Sequence, residues 1–353
     1  MVGVRLENVS KSVVGGTSIK GLNLNISDGE FFVIAGPPGS GKSLVLRLVA
    51  GLEKPDEGEI YLGDERITDL PPHRRGVSMV FQSLALYPNK TVFDNIAFPL
   101  RIRKVSESTV RKRVNEVAQF LRIEHVLHKY PRFLSGGEQQ RVAVARAMIL
   151  NPRVFLFDQP LANLDAVIRI AMRDEIRRIA KETGITSIYV THENVEALSI
   201  GDRIAYMEKG KIVEIGTPED FLKNPQDFRV ARYFGDVNYV QLLAENTDGR
   251  SSVTFLNRRI EVSPNHSKII LAFHINEVKL GVNELGDRYL TGEGEVVMVE
   301  ERVRNRVCSI RLGDGVELRA ITDKRFEIGE RVKFAISPDK IYLYDGDTMS
   351  RLS

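Results

Sequence analysis

Several residue types are scarce in this sequence, and each shortage excludes a class of protein. Cysteine occurs once, as Cys308, so the chain cannot form an internal disulfide and fits a reducing compartment. No apolar run approaches the ~18 residues that a membrane-spanning helix requires, so we expect any membrane role to depend on a partner. The opening residues also lack the apolar segment of a secretion signal, and we expect none.

An excess of charge of one sign is missing as well. Lysine and arginine number 50 against 47 for aspartate and glutamate, which leaves a formal net charge of +3. This balance is typical of a mixed, solvated surface and lacks the basic excess of a nucleic-acid-binding protein. We therefore expect no nucleic-acid partner. The length of 353 residues is enough for two ordinary domains.

The hydrophobic pattern predicts an α/β domain over residues 1–235. Continuous apolar runs at 30–36, 153–158 and 186–192 are typical of strands buried in a parallel sheet. Stretches with helical spacing lie between or after these runs, as in a βα alternation. From about 90 to 150 the helical spacing recurs with no strand signal between the stretches, which predicts a helical subdomain.

Residues 236–353 have a different sequence pattern from residues 1–235. Short runs such as KIILAF and ERVKFAIS alternate with turn pairs such as DG, which is typical of β-strands joined by tight turns. We therefore predict a second, all-β domain that follows a proline-containing connecting segment at 216–236.

A glycine-rich motif, GPPGSGKS, follows the first apolar run and precedes a helical stretch. It fits G-x-x-x-x-G-K-S in the strand–loop–helix context that this pattern requires. Glycines let backbone N–H groups approach phosphate oxygens, and the helix adds the positive end of its dipole. Lys42 is predicted to reach the β- and γ-phosphates, and the Ser43 hydroxyl to ligate Mg²⁺. The motif comprises Gly36, Pro37, Pro38, Gly39, Ser40, Gly41, Lys42 and Ser43.

Two further motifs extend this predicted nucleotide site. Asp158 ends the apolar run RVFLFD, a position from which a carboxylate can hold the magnesium ion together with Ser43. The stretch LSGGEQQRVAVARA places Ser135, Gly136 and Gly137 at the start of a predicted helix. Exposed amides and a hydroxyl at a helix N-terminus bind anions, so the chain carries two candidate phosphate-binding surfaces.

Taken together, GPPGSGKS, LSGGEQQRVAVARA, FLFDQP, LANLD and VTH resemble, in order, the nucleotide-binding subunit of ATP-binding-cassette (ABC) transporters. The resemblance covers the first 235 residues. The β-rich remainder resembles the regulatory domain of the importer branch, above all the sugar-importer (maltose-type) ATPases. The implied fold is a P-loop α/β domain with a helical subdomain, followed by an all-β, OB-like domain.

The resemblance also implies a mechanism and partners. Two such subunits, identical or different, would face each other head to tail, with ATP and Mg²⁺ between the GPPGSGKS loop of one and the LSGGE loop of the other. Two membrane-spanning permease subunits and an extracellular or periplasmic solute-binding protein would complete the transporter. This chain would lie peripherally on the cytoplasmic face of the membrane. The implied cargo is a sugar or oligosaccharide; a polyamine, an anion or a metal stays open as an alternative.

By position, the resemblance assigns single residues. Gln82 would touch Mg²⁺ and the attacking water, Asp165 would link the two protomers, and His192 would contact the γ-phosphate. At position 159 the family places a glutamate that orients or activates the water, whereas this chain has Gln159. Glutamine is nearly isosteric but accepts no proton, and loss of a general base typically costs ~10²–10⁴ in rate. We therefore predict ATP binding and dimer closure with very slow hydrolysis.

Two other departures from the family pattern concern the nucleotide. Where the family offers an aromatic residue that stacks on adenine, this chain has Val13, so we expect weaker base discrimination. Pro37 and Pro38 have no N–H, so neither donates to phosphate through its backbone.

Several alternatives stay open at this point. Gln159 has two explanations: an engineered change that traps a closed state, or a naturally degenerate site paired with a different ATPase subunit. A regulator that uses ATP only to dimerise is a second functional reading. A soluble ABC ATPase of DNA repair or translation is disfavoured, because neither a long coiled-coil insertion nor a second cassette is visible.

Overall fold

The computed structural model describes residues 2–247, 250–256, 258–263, 266–282 and 289–352. The chain divides into two compact units, Met1–Pro218 and Glu219–Ser353. Each unit has a hydrophobic core of its own. This division by contacts falls earlier in the chain than the predicted domain boundary after residue 235.

The described residues of the first unit form two β-sheets. Their strands are β1 (Val4–Lys11), β2 (Ile19–Ile26), β3 (Phe31–Ala35), β4 (Glu57–Leu62), β5 (Glu65–Arg66), β6 (Val77–Val80), β7 (Val154–Asp158), β8 (Thr186–Thr191), β9 (Arg203–Glu208) and β10 (Lys211–Gly216). The larger sheet has the order β10-β9-β3-β8-β7-β6, and the smaller antiparallel sheet has the order β2-β1-β4-β5.

The larger sheet is parallel from β9 to β6, and only β10 runs antiparallel to its neighbour. Every residue of β3, β7 and β8 is buried. Strands covered on both faces need continuous apolar runs, and these are the runs from which the parallel sheet is predicted.

Some helices of the first unit begin or end at favoured capping residues. They are α1 (Lys42–Ala50), α2 (Val92–Ile102), α3 (Glu107–Phe120), α4 (Gly136–Met148), α5 (Ala166–Thr183) and α6 (Asn194–Ile200), with short 3-10 turns at Pro72–Arg74, Glu124–Val126 and Pro131–Phe133. Thr91 caps α2 by accepting a hydrogen bond from the Asp94 N–H, and α1 ends at Gly51, whose φ of 75° suits glycine. The helices α2, α3 and α4 lie between β6 and β7, in the region where a helical subdomain is predicted.

The register of the parallel strands decides which residues meet at the carboxyl edge of the sheet. Ala35 at the end of β3 lies beside Thr191 of β8, and Asp158 at the end of β7 lies beside Val190. The end of β6 lies beside β7 in the same way, with Val80 next to Phe157. The loops that follow these four strands therefore leave the sheet at one edge, which is where open α/β sheets bind ligands.

The second unit is rich in antiparallel β-structure. Its elements are α7 (Pro218–Lys223), α8 (Phe228–Phe234), β11 (Val237–Leu243), β12 (Glu245–Thr247), β13 (Arg250–Phe255), β14 (Arg258–Val262), β15 (Lys268–His274), β16 (Val278–Leu280), β17 (Leu290–Glu301), β18 (Arg306–Arg311), β19 (Glu317–Thr322), β20 (Arg331–Ile336) and β21 (Tyr342–Asp345), with 3-10 turns at Ile275–Glu277 and Pro338–Lys340. The sheets have the orders β11-β15-β21, β12-β13-β14 and β16-β20-β17-β18-β19.

Side chains from different sheets share the core of this unit. Phe273 of β15, Phe255 of β13 and Phe334 of β20 are buried in one cluster. The five-stranded sheet curls toward a barrel, which agrees with the predicted all-β, OB-like domain. Phe228 of α8 packs in a smaller cluster with Tyr344 of β21, so α8 groups with the second unit and the contact-based boundary precedes it.

Candidate functional site

The segment Gly36–Ser43, here called the phosphate loop, joins β3 to α1 in a backbone conformation that requires glycine. Gly36 has a φ of 151° and Gly41 a φ of 101°. A Cβ atom on Gly36 would lie 2.1 Å from the carbonyl oxygen of Met207 in β9, closer than any two such atoms approach. The loop is therefore wrapped tightly against the neighbouring strand, and its shape is set by backbone contacts.

Lys42 lies under this loop and is only 4% exposed. Its ammonium group donates hydrogen bonds to the carbonyl oxygens of Gly36 at 2.8 Å and Pro37 at 2.7 Å, and to Ser40 Oγ at 3.1 Å. Burial lowers the pKa of Lys42 to about 8, although the nearby Asp158 carboxylate opposes this shift. The amine is thus poorly solvated, and an anion that enters the loop would stabilise its charged form.

Ser43 and Asp158 meet although they are far apart in the sequence. The Ser43 hydroxyl donates a hydrogen bond of 2.7 Å to Oδ1 of Asp158. Asp158 is 8% exposed at the end of β7, and Ser43 is the second residue of α1. The sheet order brings these elements together and produces a pair of oxygen ligands beside the phosphate loop.

Gln159 and His192 meet at the same edge of the sheet. The backbone N–H of Gln159 donates to the carbonyl oxygen of Val190 at 3.0 Å, and Gln159 has a φ of 47°, which is uncommon for a residue other than glycine. Gln159 Oε1 lies 2.8 Å from Nδ1 of His192. Because a glutamine oxygen only accepts hydrogen bonds, this contact places the imidazole proton on Nδ1.

A cavity of about 860 Å³ opens above these groups, within the size range of small-molecule sites. It is lined by Val13, Gly15, Gly16, Thr17, Pro38, Gly39, Ser40, Gly41, Lys42, Ser43, Leu44, Arg47, Glu53, Gln159 and His192. The structure therefore joins most of the phosphate loop, Val13, Gln159 and His192 in one cavity.

The sequence did not predict six of the lining residues, namely Gly15, Gly16, Thr17, Leu44, Arg47 and Glu53, and three of them have polar side chains. Arg47 follows Ser43 by about one turn of α1, so it lies about 6 Å further along the helix. Glu53 is drawn back toward Arg47 because its N–H donates to the Arg47 carbonyl oxygen. Thr17 lies in the loop between β1 and β2, and its hydroxyl donates to the carbonyl oxygen of Gly39. The only sequence signal for Thr17 is its closeness to Val13.

Eight predicted site residues do not line this cavity among the described residues. Gly36, Pro37 and Asp158 lie beside it, in contact with Lys42 or Ser43, and the other five are Gln82, Ser135, Gly136, Gly137 and Asp165. Gln82 is exposed on the loop after β6, and its carbonyl oxygen accepts a hydrogen bond from Asn163 Nδ2 at 3.2 Å. The Asp165 carboxylate caps α5 by accepting from the N–H groups of Val167 and Ile168.

Ser135 caps α4 in a reciprocal arrangement with Glu138. Its hydroxyl oxygen accepts from the Glu138 N–H at 3.3 Å, while Glu138 Oε2 accepts from the Ser135 backbone N–H at 2.7 Å. The two following glycines let α4 approach the start of α5, since a Cβ on Gly136 would lie 3.0 Å from Leu164 Cδ2. The start of α4 and the Asp165 loop thus form a second polar surface of the same unit.

Comparison with known proteins identifies the family. A profile of the ABC transporter family matches residues 19–162. The trehalose/maltose import ATP-binding protein MalK of Thermococcus litoralis is 38% identical, with 99% of each chain aligned. The chain belongs to the ABC transporter family. The maltose/maltodextrin import ATP-binding protein MalK of Salmonella typhimurium is 37% identical to this ABC protein, over 100% of this chain and 98% of its own.

A solved structure extends the comparison to the fold. The ATP-binding cassette MJ0796, in a dimeric post-hydrolysis state bound to ADP and Pi, is 35% identical, with a TM-score of 0.54. It covers 61% of this chain and 98% of its own. These matches confirm the predicted family and the predicted α/β P-loop fold with a C-terminal all-β domain. Over the described part of the chain, no helix is both long and apolar enough to cross a membrane.

Proposed function

We propose that this chain binds ATP through the phosphate loop and powers an ABC importer for a sugar or oligosaccharide. The observation that carries the proposal is the convergence of the loop, Lys42 and the start of α1 beside the 860 Å³ cavity. Backbone amides, a lysine and a helix N-terminus together suit a triphosphate. Relatives that align over the whole chain include trehalose/maltose and maltose/maltodextrin import proteins, which favours a sugar as cargo.

Mg²⁺ fits the pair formed by Ser43 and Asp158. Their hydroxyl and carboxylate are the hard oxygen ligands that magnesium prefers, and they already lie 2.7 Å apart. Gln82 is the third proposed ligand, on the loop that leaves the same edge of the sheet. When bound there, magnesium would neutralise charge on the phosphates, while Lys42 supplies a second positive charge from the protein.

A second ATP-binding subunit, identical or different, completes the proposed site. The surface formed by Ser135, Gly136, Gly137 and Asp165 lies outside the cavity, so within one chain it leaves the nucleotide uncovered. If this surface of a partner subunit lay opposite the phosphate loop of this chain, the two together would enclose the triphosphate. The dimeric, ADP- and Pi-bound cassette named above supports this arrangement. Two permease subunits, a solute-binding protein and the cytoplasmic face of the membrane belong to the same proposal.

Gln159 is the residue from which we predict the rate of ATP hydrolysis. Its amide oxygen holds His192 at 2.8 Å, as a carboxylate could, but it takes no proton from water. We therefore propose ATP binding and dimer closure with strongly impaired hydrolysis, whether the glutamine is engineered or natural. A natural glutamine would favour pairing with a different ATPase subunit, in which the Ser135 surface of this chain serves the partner's working site.

Two alternatives follow from particular observations. An sn-glycerol-3-phosphate import ATP-binding protein of Yersinia pseudotuberculosis is 48% identical over 67% of this chain, which keeps an anionic cargo open beside polyamines and metals. Gln159 also favours a regulator that uses ATP only to dimerise. Turnover of the Gln159→Glu variant distinguishes such a regulator from an enzyme.

The test of the proposed function is a crosslink across the subunit boundary. Cysteines introduced as Pro38→Cys and Ser135→Cys should form an intersubunit disulfide when Mg-ATP saturates the assembled complex, and a weaker one without nucleotide. Cys308 is fully buried and should not compete. Failure of these positions to meet at saturating nucleotide would refute the ATP sandwich. Identifying the solute on the co-purified binding protein decides the cargo.

A further inference from the structure

A buried carboxylate lies just outside the cavity. Glu196 on α6 is 6% exposed, and its Oε2 accepts hydrogen bonds from the Tyr189 hydroxyl at 2.9 Å and the Thr191 hydroxyl at 2.7 Å. Burying a carboxylate costs several kcal/mol unless hydrogen bonds and positive charge compensate it. An apolar side chain would anchor α6 without that cost, so anchoring alone does not explain a glutamate here.

Both donors come from β8, the strand that ends immediately before His192. Tyr189 is fully buried and packs beside Phe31, with ring centroids 6.0 Å apart. Burial, reinforced by the charge of Glu196, raises the pKa of Tyr189 well above its ordinary value. The phenol therefore stays protonated, and its hydroxyl donates a hydrogen bond to the Glu196 carboxylate.

Thr191, the last residue of β8, is hydrogen-bonded in both directions. Its hydroxyl donates to Glu196 and accepts from the backbone N–H of Glu193 at 3.0 Å. These two bonds hold the residues immediately before and after His192. The ring of His192 in turn lies 2.8 Å from Gln159 Oε1.

Two arginines of α5 contact α6 and the turn that carries His192. Arg173 Nη1 donates a hydrogen bond of 3.3 Å to Ser199 Oγ on α6. Arg169 lies 3.7 Å from the Glu193 carboxylate and donates to the carbonyl oxygen of Leu164 at 3.0 Å. The turn that carries His192 is thus tied to α5 as well as to α6.

We propose that Glu196 is a positioning residue that orients His192 toward the phosphate-binding cavity through Thr191 and Tyr189. This inference rests on the proposed function, because it assigns His192 its place in an ATP site. Without the acceptor, the Thr191 hydroxyl can rotate and Tyr189 is left with a buried, unpaired donor. The turn then samples several positions, while the phosphate loop that binds ATP is untouched.

The first test separates binding from turnover in the full chain, with Gln159→Glu as the parent so that hydrolysis is measurable. Glu196→Ala should slow single-turnover hydrolysis by about tenfold or more, because a catalytic group displaced by about 1 Å can cost far more. Its ATP dissociation constant should change by less than about threefold. Glu196→Gln keeps an acceptor oxygen and should retain most of the rate, and Thr191→Val should behave like Glu196→Ala.

Ile200→Val is the matched control for a merely structural effect. Ile200 is buried on α6, and its truncation loosens the helix without touching these hydrogen bonds. It should lower the melting temperature while the hydrolysis rate stays at the parental value. An equal loss of rate in Ile200→Val and Glu196→Ala variants of equal stability would overturn the proposal, as would a parental rate in Glu196→Ala.

A second measurement does not depend on turnover. The chain contains six histidines, so ¹⁵N-histidine NMR can resolve His192, assigned with a His192→Asn variant. In the chain with Gln159, Gln159 Oε1 should hold the Nδ1–H tautomer of His192. Glu196→Ala should weaken that preference, and Glu196→Gln should keep it. An unchanged tautomer in Glu196→Ala defeats this inference alone, whereas absence of ATP binding in the parent defeats the proposed function.

Discussion

Introducing a carboxylate at position 159 should strongly raise the rate of ATP hydrolysis. In Gln159→Glu the new oxygen can keep the 2.8 Å contact with His192 Nδ1, because the two side chains are nearly isosteric. A general base contributes ~10²–10⁴ in rate, equivalent to about 2.7–5.4 kcal/mol of activation free energy. The gain should therefore appear in kcat and not in binding.

The added charge should weaken ATP binding slightly. Two unit charges about 5 Å apart in water repel by about 0.8 kcal/mol, which is about fourfold in Kd. The assay measures phosphate release and, separately, the Kd of ATP. Both are measured for the unsubstituted chain and for Gln159→Glu, each assembled with its membrane partners. Gln241→Glu places the same charge on an exposed residue of the second unit and should leave both quantities unchanged.

Equal turnover in both chains would refute the assignment of position 159 as the missing base. A gain for Gln159→Glu only when a different ATPase subunit is present would keep the assignment and identify the partner as the one with the second working site. Gln159→Asn, which shortens the amide without adding a base, should not raise the rate.

Three further predictions concern the same site. The pKa of Lys42 is lowered to about 8, so phosphate binding should raise this pKa and take up a proton near pH 8–9. The affinity for ATP should therefore fall above pH 8. Calorimetry in buffers of different ionisation enthalpy measures the proton uptake, and finding none at pH 8.5 would contradict this prediction. Val13→Tyr should strengthen the binding of ATP relative to nucleotides with a poorly stacking base, by up to ~1–3 kcal/mol. Competition binding with ATP and UTP measures this difference. An unchanged ratio of the two dissociation constants would argue against a base at Val13. Gly36→Ala should lower the free energy of unfolding by more than ~2 kcal/mol, because its Cβ would clash with the Met207 carbonyl. A Cβ on Gly39 would meet no atom within 4 Å, so Gly39→Ala should cost less. Equal denaturant midpoints for the two variants would show that the loop moves to relieve the clash.

Local patterns in the sequence predicted the parts of the fold that are local. The strands β3, β7 and β8 were predicted because strands buried on both faces need uninterrupted apolar runs, and the loop Gly36–Ser43 because its glycines and lysine occur at fixed spacing. The meeting of Ser43 with Asp158 was expected only because both motifs imply the same ion.

Residues that reach the site through tertiary packing escaped prediction. Arg47 lies on the exposed side of α1, and Glu53 follows that helix, so both resemble ordinary surface charges in the sequence. Glu196 resembles one more charged residue of an amphipathic helix, and only the structure shows it buried against β8. Their significance depends on which elements pack together, which residue spacing does not record.

The capping arrangement at the start of α4 determines which hydrogen bond the Ser135 hydroxyl has to give up before it can bind a phosphate. The Ser135 hydroxyl already donates to Glu138 Oε2 at 2.8 Å. To reach a phosphate oxygen it has to exchange one anionic acceptor for another, so the exchange itself changes the free energy little. The Ser135 hydroxyl is therefore already hydrogen-bonded in the single chain. The free energy that favours binding of a phosphate at this loop has to come from the charge and the shape of the opposing surface.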